Sequence, residues 1–429
     1  MKKDFLVPLF SCISATLLLL TSLNTTAATP KNIIFMIGDG MGPSYTSAYR
    51  YYNDNPATPS VETTTFDELF VGMAQTRPNL KSGFITDSAA AASALATGHK
   101  VVSKALSVNS QAQPLKTLFE YAKEKNKYTG VVVTSPIYHA TPAAFLVHHP
   151  LRYEYDLIAD KLIQSPADVM FGGGTKHLTA RHQSALKKQG YEIIYDYQQI
   201  NNLTQPKVVG LFGEFGLPWA IDDPEPHRLS LMTKKALELL SQHNEGFVLL
   251  IEGSQIDWAG HANDSTAAMR EMEDFEKAIQ TVQEFIRRHP DTLMVVTADH
   301  STGGFTIGSN QTPKKYSWEP RFLKNVQHSP QYIVKHLPEE KTAQKSYLEK
   351  QLNMSLNQQQ WDVIQTAHQK KHLMSTLKHL IDEQSHTGWT TRGHTGEDVQ
   401  VFAFGAGSET FVGHQDNTDI GKKLIDFVR

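Results

Sequence analysis

The stretch NIIFMIGDG, residues 32–40, is an apolar run that ends on an aspartate held between two glycines. A continuous apolar run of this length predicts a strand of a parallel sheet that is buried on both faces, with Asp39 at its carboxyl end. Two further runs end on acidic residues, namely 246–253 on Glu252 and 292–300 on the pair Asp299 and His300. Similar runs without a terminal acid lie at 129–135, 399–407 and, more weakly, 168–174.

Helical patterns alternate with these runs, and the alternation indicates the fold class. They cover residues 115–125, 153–164, 229–243, 266–288 and 420–428. Alternating strands and helices predict an α/β fold in which a central, mostly parallel sheet lies between helical layers. Ligands bind at the carboxyl ends of the strands in such sheets, and the acidic strand ends fall there.

Composition and net charge describe the polar stretch after the third acidic strand end and the class of partner. The polar stretch 305–385, with helical patches at 340–352 and 361–381, predicts an insertion or cap beside the site within one catalytic domain at 29–429. A formal net charge of −3 over 429 residues gives no basis for binding a polyanion, so nucleic acid is excluded as a partner.

The first 28 residues have the pattern of a signal peptide. Lys2 and Lys3 precede an apolar stretch, and small residues follow it up to Ala28. Export to the periplasm or the medium is therefore expected, although a membrane anchor is the alternative for a longer apolar stretch. The single cysteine, Cys12, lies in this leader, so metal ligands in the mature chain have to be His, Asp or Glu.

Four short motifs carry candidate metal ligands. Each motif alone also fits an ordinary turn, a solvated loop or an exposed histidine. Together they contain three imidazoles and four carboxylates, which exceed one tetrahedral site. Mixed His and Asp ligands suit zinc, carboxylates and hydroxyls suit magnesium, and two adjacent metals suit phosphoryl transfer. The candidates are Asp39, Glu252, Asp257, His261, Asp299, His300 and His394.

A nucleophile is predicted in TDSAAAASALATG, residues 86–98. The polar pair before the alanines and the glycine after them are typical of a capped helix. Ser88 would then lie at a helix N-terminus, which favours bound anions, and metal coordination would activate its hydroxyl. In HATPAAFLVHHPLR, residues 139–152, Thr141 offers a hydroxyl to a hard metal. Arg152 is either a clamp for two phosphoryl oxygens or a surface arginine.

In order and in content, these motifs resemble those of the alkaline phosphatases across essentially the whole mature chain. The resemblance implies a first zinc on Asp257, His261 and His394. It implies a second zinc on Asp39, Ser88, Asp299 and His300, and a magnesium on Asp39, Thr141 and Glu252. It further implies that Ser88 becomes phosphoserine, that Arg152 binds phosphate, and that the chain forms a homodimer.

Three neighbouring residues are assigned supporting positions. Asp87 is expected to assist Ser88 without binding metal. His139 stands where some family members have Asp, and Trp258 where others have Lys or His. The His139 and Trp258 pairing resembles that of certain marine bacterial enzymes, and both are expected near the magnesium or the phosphate.

The function that the resemblance implies is hydrolysis of small phosphate monoesters. In-line transfer through a phosphoserine would release inorganic phosphate, with higher rates at alkaline pH. A phosphodiesterase or sulfatase on the same scaffold is one alternative, but Ser88, Arg152 and the magnesium ligands favour monoesters. A non-catalytic protein of the cell envelope that binds phosphate or metal is the other.

Overall fold

The computed structural model describes residues 29–309 and 316–429, so the predicted leader lies outside the described part of the chain. The strands, in chain order, are β1 (Asn32–Gly38), β2 (Phe70–Gln75), β3 (Tyr128–Pro136), β4 (Val169–Gly173), β5 (Glu192–Ile194), β6 (Val208–Leu211), β7 (Phe247–Gly253), β8 (Thr292–Ala298), β9 (Ser301–Thr302), β10 (Thr306–Ile307), β11 (Thr387–Gly388), β12 (His394–Thr395), β13 (Val399–Gly405) and β14 (Gly413–Asp416).

Helices connect most of these strands, and two short 3-10 helices lie at Leu80–Ser82 and Ser408–Phe411. The α-helices are α1 (Pro43–Asn53), α2 (Thr65–Leu69), α3 (Ser88–Thr97), α4 (Leu118–Glu124), α5 (Ala140–Leu146), α6 (Tyr155–Leu162), α7 (Ala180–Lys188), α8 (Tyr197–Ile200), α9 (Arg228–Leu240), α10 (Gln255–Ala262), α11 (Ser265–Arg288), α12 (Pro320–Asn325), α13 (Pro330–Lys335), α14 (Lys341–Leu352), α15 (Gln358–Gln369), α16 (Leu373–Ser385) and α17 (Asn417–Val428).

Ten of the strands form one central sheet in the order β14-β2-β13-β8-β1-β7-β3-β4-β6-β5. All neighbouring pairs are parallel except those of β13, which runs antiparallel to β8 and β2. Every residue of β1, β7 and β8 is buried, because helices cover both faces of the sheet. The predicted α/β fold with a mostly parallel central sheet is therefore confirmed.

The register of the three central strands places their ends together. Ile37 of β1 pairs with Glu252 of β7 on one side and with Thr297 of β8 on the other. Asp39 directly follows the last residue of β1, and Asp299 directly follows the last residue of β8. Both therefore lie at the same edge of the sheet as Glu252. Parallel pairing thus converts three separate sequence motifs into one cluster.

The sequence did not predict all elements correctly. The strands β2, β5, β6 and β14 are short or only half-buried, so no long apolar run marks them. The helical pattern at 361–381 is two helices, α15 and α16. The chain turns between them at Lys371, whose φ of 59° is left-handed and ends a helix.

The helices of the predicted cap at 305–385 pack beside the start of α11. The Ser265 hydroxyl at the start of α11 donates to the buried carboxylate of Asp382 on α16 at 2.8 Å, and Lys378 Nζ donates to the carbonyl of Ala262 at 3.0 Å. This segment is thus fixed to the helices that follow β7, while its role as a cap stays a prediction. Within the described ranges, no helix is both long enough and apolar enough to cross a membrane.

Candidate metal centre and active site

Asp39, Glu252 and Asp299 lie side by side at the carboxyl edge of the sheet, each with no exposed surface. Strand β8 ends at Ala298, so Asp299 and His300 lie on turning chain and both face the same site. Gly40 allows α10 to approach this edge. A Cβ at Gly40 would lie 2.7 Å from the Cα of Asp257, and its φ of +72° also favours glycine.

Around His300 the structure gathers one set of candidate ligands. His300 Nε2 lies 3.1 Å from Asp299 Oδ2, 3.5 Å from Asp39 Oδ1 and 3.2 Å from the hydroxyl of Ser88. These are the four residues of the predicted second zinc set. Two carboxylates, an imidazole and a hydroxyl therefore converge on one point.

A second set gathers around His394. His394 Nε2 lies 3.1 Å from His261 Nε2 and 3.6 Å from Asp257 Oδ1, and His261 Nε2 lies 3.4 Å from Asp257 Oδ2. Asp257 and His261 lie one turn apart on α10, as the D-x-x-x-H spacing predicts. The rings of His300 and His394 stack with centroids 3.6 Å apart, so the two sets are adjacent.

The division between the sets differs in one respect from the prediction. The tightest groups of ligand atoms, each within 4.8 Å, are Asp39, Asp299 and His300, and Asp257, His300 and His394. His300 thus lies between the two sets and belongs by distance to both. His261 is 41% exposed at its side chain and lies at the rim.

The outer nitrogens of two of the histidines bind backbone carbonyls. His261 Nδ1 lies 2.5 Å from the carbonyl of Arg392, and His394 Nδ1 lies 2.8 Å from the carbonyl of Thr86. A carbonyl oxygen only accepts hydrogen bonds, so each Nδ1 carries the proton. The Nε2 atoms are therefore free of protons and have the lone pair that a metal needs.

Ser88 begins α3, and Asp87 is the N-cap residue whose carboxylate accepts a hydrogen bond from the Ala90 amide at 3.2 Å. All ten residues of the helix are buried, because alanine and serine side chains allow α5 and α17 to pack closely against it. The helix stops at Gly98, whose φ of 72° is left-handed. The capped helix and the nucleophile position are thus the same structure.

Arg152 is buried, not on the surface, and lies in the turn before α6. Its Nη1 donates to Asp87 Oδ2 at 3.2 Å, and the Lys104 amide lies 3.1 Å from both Asp87 oxygens. Asp87 therefore connects the start of α3 to the guanidinium. Its position beside Ser88 suits the supporting role that the sequence indicates.

The residues predicted for the third metal lie on the far side of Asp39. The Thr141 hydroxyl donates to Asp39 Oδ2 at 3.4 Å, and the Ser135 hydroxyl lies 3.4 Å from Glu252 Oε2. The His139 ring meets the Trp258 ring edge-on at 5.6 Å, and Phe215 stacks on Trp258 at 5.7 Å. The two variable positions therefore contact each other.

Burial shifts the protonation of the carboxylates in this cluster. It raises the pKa of Asp39 well above its usual range, with the charge of Asp299 acting in the same direction, and it raises the pKa of Glu252 to about 8. Burial would also raise the pKa of Asp299, but the charge and hydrogen bond of His300 outweigh it and lower that pKa to about 2. The negative charge of the four carboxylates in this site thus exceeds the positive charge that the chain itself places beside them.

Burial acts in the opposite direction on the imidazoles. It lowers the pKa of His139 to about 3, with a contribution from Arg152, and that of His394 to about 4, with a contribution from His300. His300 differs, because the charge of Asp299 outweighs its burial and raises its pKa. Neutral imidazoles are the form in which histidine binds metals.

Several buried polar atoms of this cluster have no hydrogen-bond partner among the residues that the structure describes. They include Asp39 Oδ1, Glu252 Oε1 and His139 Nδ1. Buried polar atoms are almost always paired, so these atoms indicate a missing ligand. Nitrogen and carboxylate donors fit zinc, and the carboxylate and hydroxyl donors around Thr141 fit magnesium. The residues present therefore fit the metals that the sequence implies.

One residue that contacts both ligand sets was not singled out from the sequence. The Thr302 hydroxyl lies 2.5 Å from Asp257 Oδ1 and 3.2 Å from His300 Nδ1. Its place two residues after His300 in TADHSTGG was the available signal, because alternate residues of an extended chain share a face.

Comparison with known proteins identifies the family of this chain. The family model for alkaline phosphatase matches residues 30–429. Alkaline phosphatase 3 of Bacillus subtilis is 41% identical over 412 residues, which cover 92% of this chain and 88% of that protein. The crystal structure of a cold-active alkaline phosphatase from Shewanella sp. superposes with a TM-score of 0.90 at 48% identity, covering 93% of this chain and all of that one.

A more distant solved structure bears on the metals. A variant of the alkaline phosphatase from the Antarctic bacterium TAB5, in which a histidine is replaced by glutamate, was solved with Mg bound in its M3 site. It is 28% identical and has a TM-score of 0.70, with 94% of this chain and 99% of that chain covered. The family match, the B. subtilis relative and the site geometry agree, and this chain belongs to the alkaline phosphatase family of metal-dependent phosphomonoesterases.

Proposed function

We propose that the carboxyl edge of the sheet hydrolyses small phosphate monoesters by way of a phosphoserine at Ser88. The observation that carries the proposal is the position of the Ser88 hydroxyl. It lies at the N-terminus of α3, 3.2 Å from His300 Nε2, in the cluster whose buried carboxylate oxygens lack partners within the described chain. Arg152 approaches the same helix end through Asp87.

The proposal assigns two Zn²⁺ and one Mg²⁺ to the donor sets of the site. When bound, these cations supply positive charge that stabilises the phosphoryl and leaving oxygens and lowers the pKa of the attacking hydroxyl. The first zinc set is Asp257, His261 and His394, the second is Asp39, Ser88, Asp299 and His300, and the magnesium set is Asp39, Thr141 and Glu252.

The chain's own groups perform two displacements. The Ser88 hydroxyl loses its proton to water, its oxygen attacks phosphorus in line, the oxygen–phosphorus bond to Ser88 forms, and the bond to the alcohol breaks. The alcohol leaves with a proton taken from water. A water molecule then attacks the phosphoserine, the bond to Ser88 breaks, and inorganic phosphate is released. Both attacking groups have to lose a proton, so we expect higher rates at alkaline pH.

Arg152 acts on the phosphoryl group throughout both steps. A guanidinium donates two parallel hydrogen bonds to the nonbridging oxygens, which a lysine does less well. Asp87 holds the guanidinium, and Lys104 holds Asp87 through its backbone amide, so orientation is fixed before substrate binds. The N-terminus of α3 adds a field that favours the phosphate dianion. These features support a monoester, which has two negative charges at neutral pH, over a diester.

Comparison of 4-nitrophenyl phosphate with its methyl diester tests the proposal. The metals are counted in the purified protein, and turnover is measured before and after chelation. We expect two zinc ions and one magnesium ion per chain, faster cleavage of the monoester, and loss of turnover on chelation. Faster cleavage of the diester, or cleavage of an aryl sulfate, would instead show one of the rival activities of this scaffold. Metal binding without turnover would favour the non-catalytic alternative.

Export and assembly belong to the same proposal. The order of basic, apolar and small residues in 1–28 supports a signal peptide, and cleavage after about residue 28 would release the mature chain. N-terminal sequencing of the exported protein tests this. The predicted homodimer is tested by light scattering on the mature protein, where a mass of one chain would contradict it.

A further inference from the structure

Thr302 contacts ligands of both predicted zinc sets. It is fully buried in β9, where antiparallel pairing places it opposite His394. Its hydroxyl lies 2.5 Å from Asp257 Oδ1 and 3.2 Å from His300 Nδ1. Its hydrogen bonds, among the described residues, therefore connect Asp257 of the first zinc set to His300 of the second.

The backbone and its neighbours fix the position of this hydroxyl. The Tyr45 hydroxyl donates to the Thr302 carbonyl at 2.8 Å, and the β9–β12 pairing holds the strand. Gly40 packs so closely that a Cβ there would lie 2.8 Å from Thr302 Oγ1. The Tyr45 hydrogen bond and the β9–β12 pairing therefore hold the backbone that presents the Thr302 hydroxyl.

The number of protons decides the direction of both hydrogen bonds. A threonine hydroxyl has one proton to donate, and its oxygen also accepts. A carboxylate oxygen accepts hydrogen bonds, and Thr302 donates to Asp257 Oδ1. His300 Nδ1 then has to donate to the Thr302 oxygen and carries the ring proton. In the neutral ring that binds a metal, His300 Nε2 then has the lone pair, and it is the atom that faces Asp39, Ser88 and Asp299.

We infer that Thr302 is a positioning residue that couples the two zinc sites. This inference rests on the proposed function. Through its proton it orients the Asp257 carboxylate toward the first zinc, and through its oxygen it holds His300 in the tautomer that binds the second. Thr302 thus orients His300 in the way that backbone carbonyls orient His261 and His394. Removing it weakens zinc at both sites at once.

The test compares zinc affinity across four proteins by competition with a chromophoric chelator. Thr302→Val keeps the shape of the side chain and removes both hydrogen bonds, while Thr302→Ser keeps both. Thr233→Val is the matched control, because Thr233 is a buried threonine of α9 whose hydroxyl has no partner among the described residues. We expect Thr302→Val to weaken both zinc sites by about 10–100-fold, and Thr302→Ser and Thr233→Val to bind zinc as the wild type does.

Three outcomes would overturn the inference. They are wild-type zinc affinity at both sites in Thr302→Val, a loss confined to one site, and a failure of Thr302→Ser to restore affinity. If Thr302→Val does not fold, Thr302→Ala decides in the same assay, because it removes the hydroxyl without placing a second methyl group against Asp257. Failure of the proposed function would appear separately, as a zinc-loaded wild type that does not cleave monoesters.

Discussion

Two regions of this molecule bury several carboxylates, and their negative charge is balanced in different ways. The first is the Arg228 cluster, which consists of Arg228 with Asp223, Glu271 and Asp274. Arg228 is completely buried, and its Nη1 donates to Asp274 at 2.5 Å and its Nη2 to Glu271 at 2.9 Å. The Leu229 amide donates to the other oxygen of Asp274, Oδ1, and the Ala220 amide donates to Glu271 Oε1, which also accepts from Arg228.

The second region is the metal centre at the carboxyl edge of the sheet. It contains four buried carboxylates, one more than the Arg228 cluster, but Arg152 is hydrogen-bonded to Asp87. One oxygen of Asp39 and one of Glu252 have no hydrogen-bond partner within the described residues. The Arg228 cluster therefore pairs its carboxylates with a guanidinium of the chain, although Arg228 Nε, 3.7 Å from Asp223 Oδ2, makes no hydrogen bond among the described residues. The metal centre instead presents its donors to a ligand. Buried charge alone does not mark a functional site, whereas carboxylates, imidazoles and a hydroxyl that converge on one point without a cation of the chain between them do.

Substitution of the nucleophile should have the largest effect. Ser88→Ala should reduce turnover of 4-nitrophenyl phosphate by several orders of magnitude, because no other hydroxyl begins α3. Zinc content and the thermal unfolding midpoint should stay near the wild type, since alanine is a good helix former. Steady-state kinetics and metal analysis measure both. Unchanged turnover would show that Ser88 is not the nucleophile.

Arg228→Met should have the largest effect on stability. Removal of the guanidinium leaves three buried carboxylates without their cation, so the free energy of unfolding should fall by about 3–5 kcal/mol. Urea unfolding of the zinc-saturated protein measures this. Arg181→Met is the control, because Arg181 pairs with Asp160 on the surface, where ion pairs contribute little. Equal losses in both variants would contradict a special role for the buried cluster.

Chelation should show how much stability the bound ions add at the metal centre. A bound ion stabilises the folded state by about 2.7 kcal/mol per site when free zinc is 100-fold above its dissociation constant. Removing the ions should therefore lower the thermal unfolding midpoint, and adding zinc back should restore it. Zinc should stabilise Arg228→Met by the same amount as the wild type, since the two clusters share no residue. A thermal unfolding midpoint that does not change when the chelator is added would contradict a metal requirement for the buried donors.

The pH dependence of the Arg228 cluster should give the smallest effect. Burial raises the pKa of Asp274 from 3.8 to about 7, although the charge of Arg228 acts against it. The folded protein then holds a proton that the unfolded chain has released, so the free energy of unfolding falls as pH rises toward 7, by at most about 1.4 kcal/mol per pH unit. Asp274→Asn mimics the protonated side chain and should flatten this fall. Urea unfolding between pH 5 and pH 7 measures it, and an unchanged slope would contradict the assignment.

The sequence alone determined the features that depend on neighbouring residues. Apolar runs marked the central strands, the terminal Asp39, Glu252 and Asp299 marked one edge, and the capped alanine run marked the helix that begins at Ser88. These predictions succeeded because strand burial, helix capping and the spacing of Asp257 and His261 are set within a few residues of chain.

Only the tertiary structure decided the contacts between distant segments. It buried Arg152 against Asp87, placed His300 between two ligand sets, and brought Thr302 to Asp257. It also reversed β13, added short strands that carry no apolar signal, and divided one helical pattern at Lys371. The physical reason is that each of these depends on which strands pair and in which register, and such long-range pairing has no counterpart in local periodicity or capping.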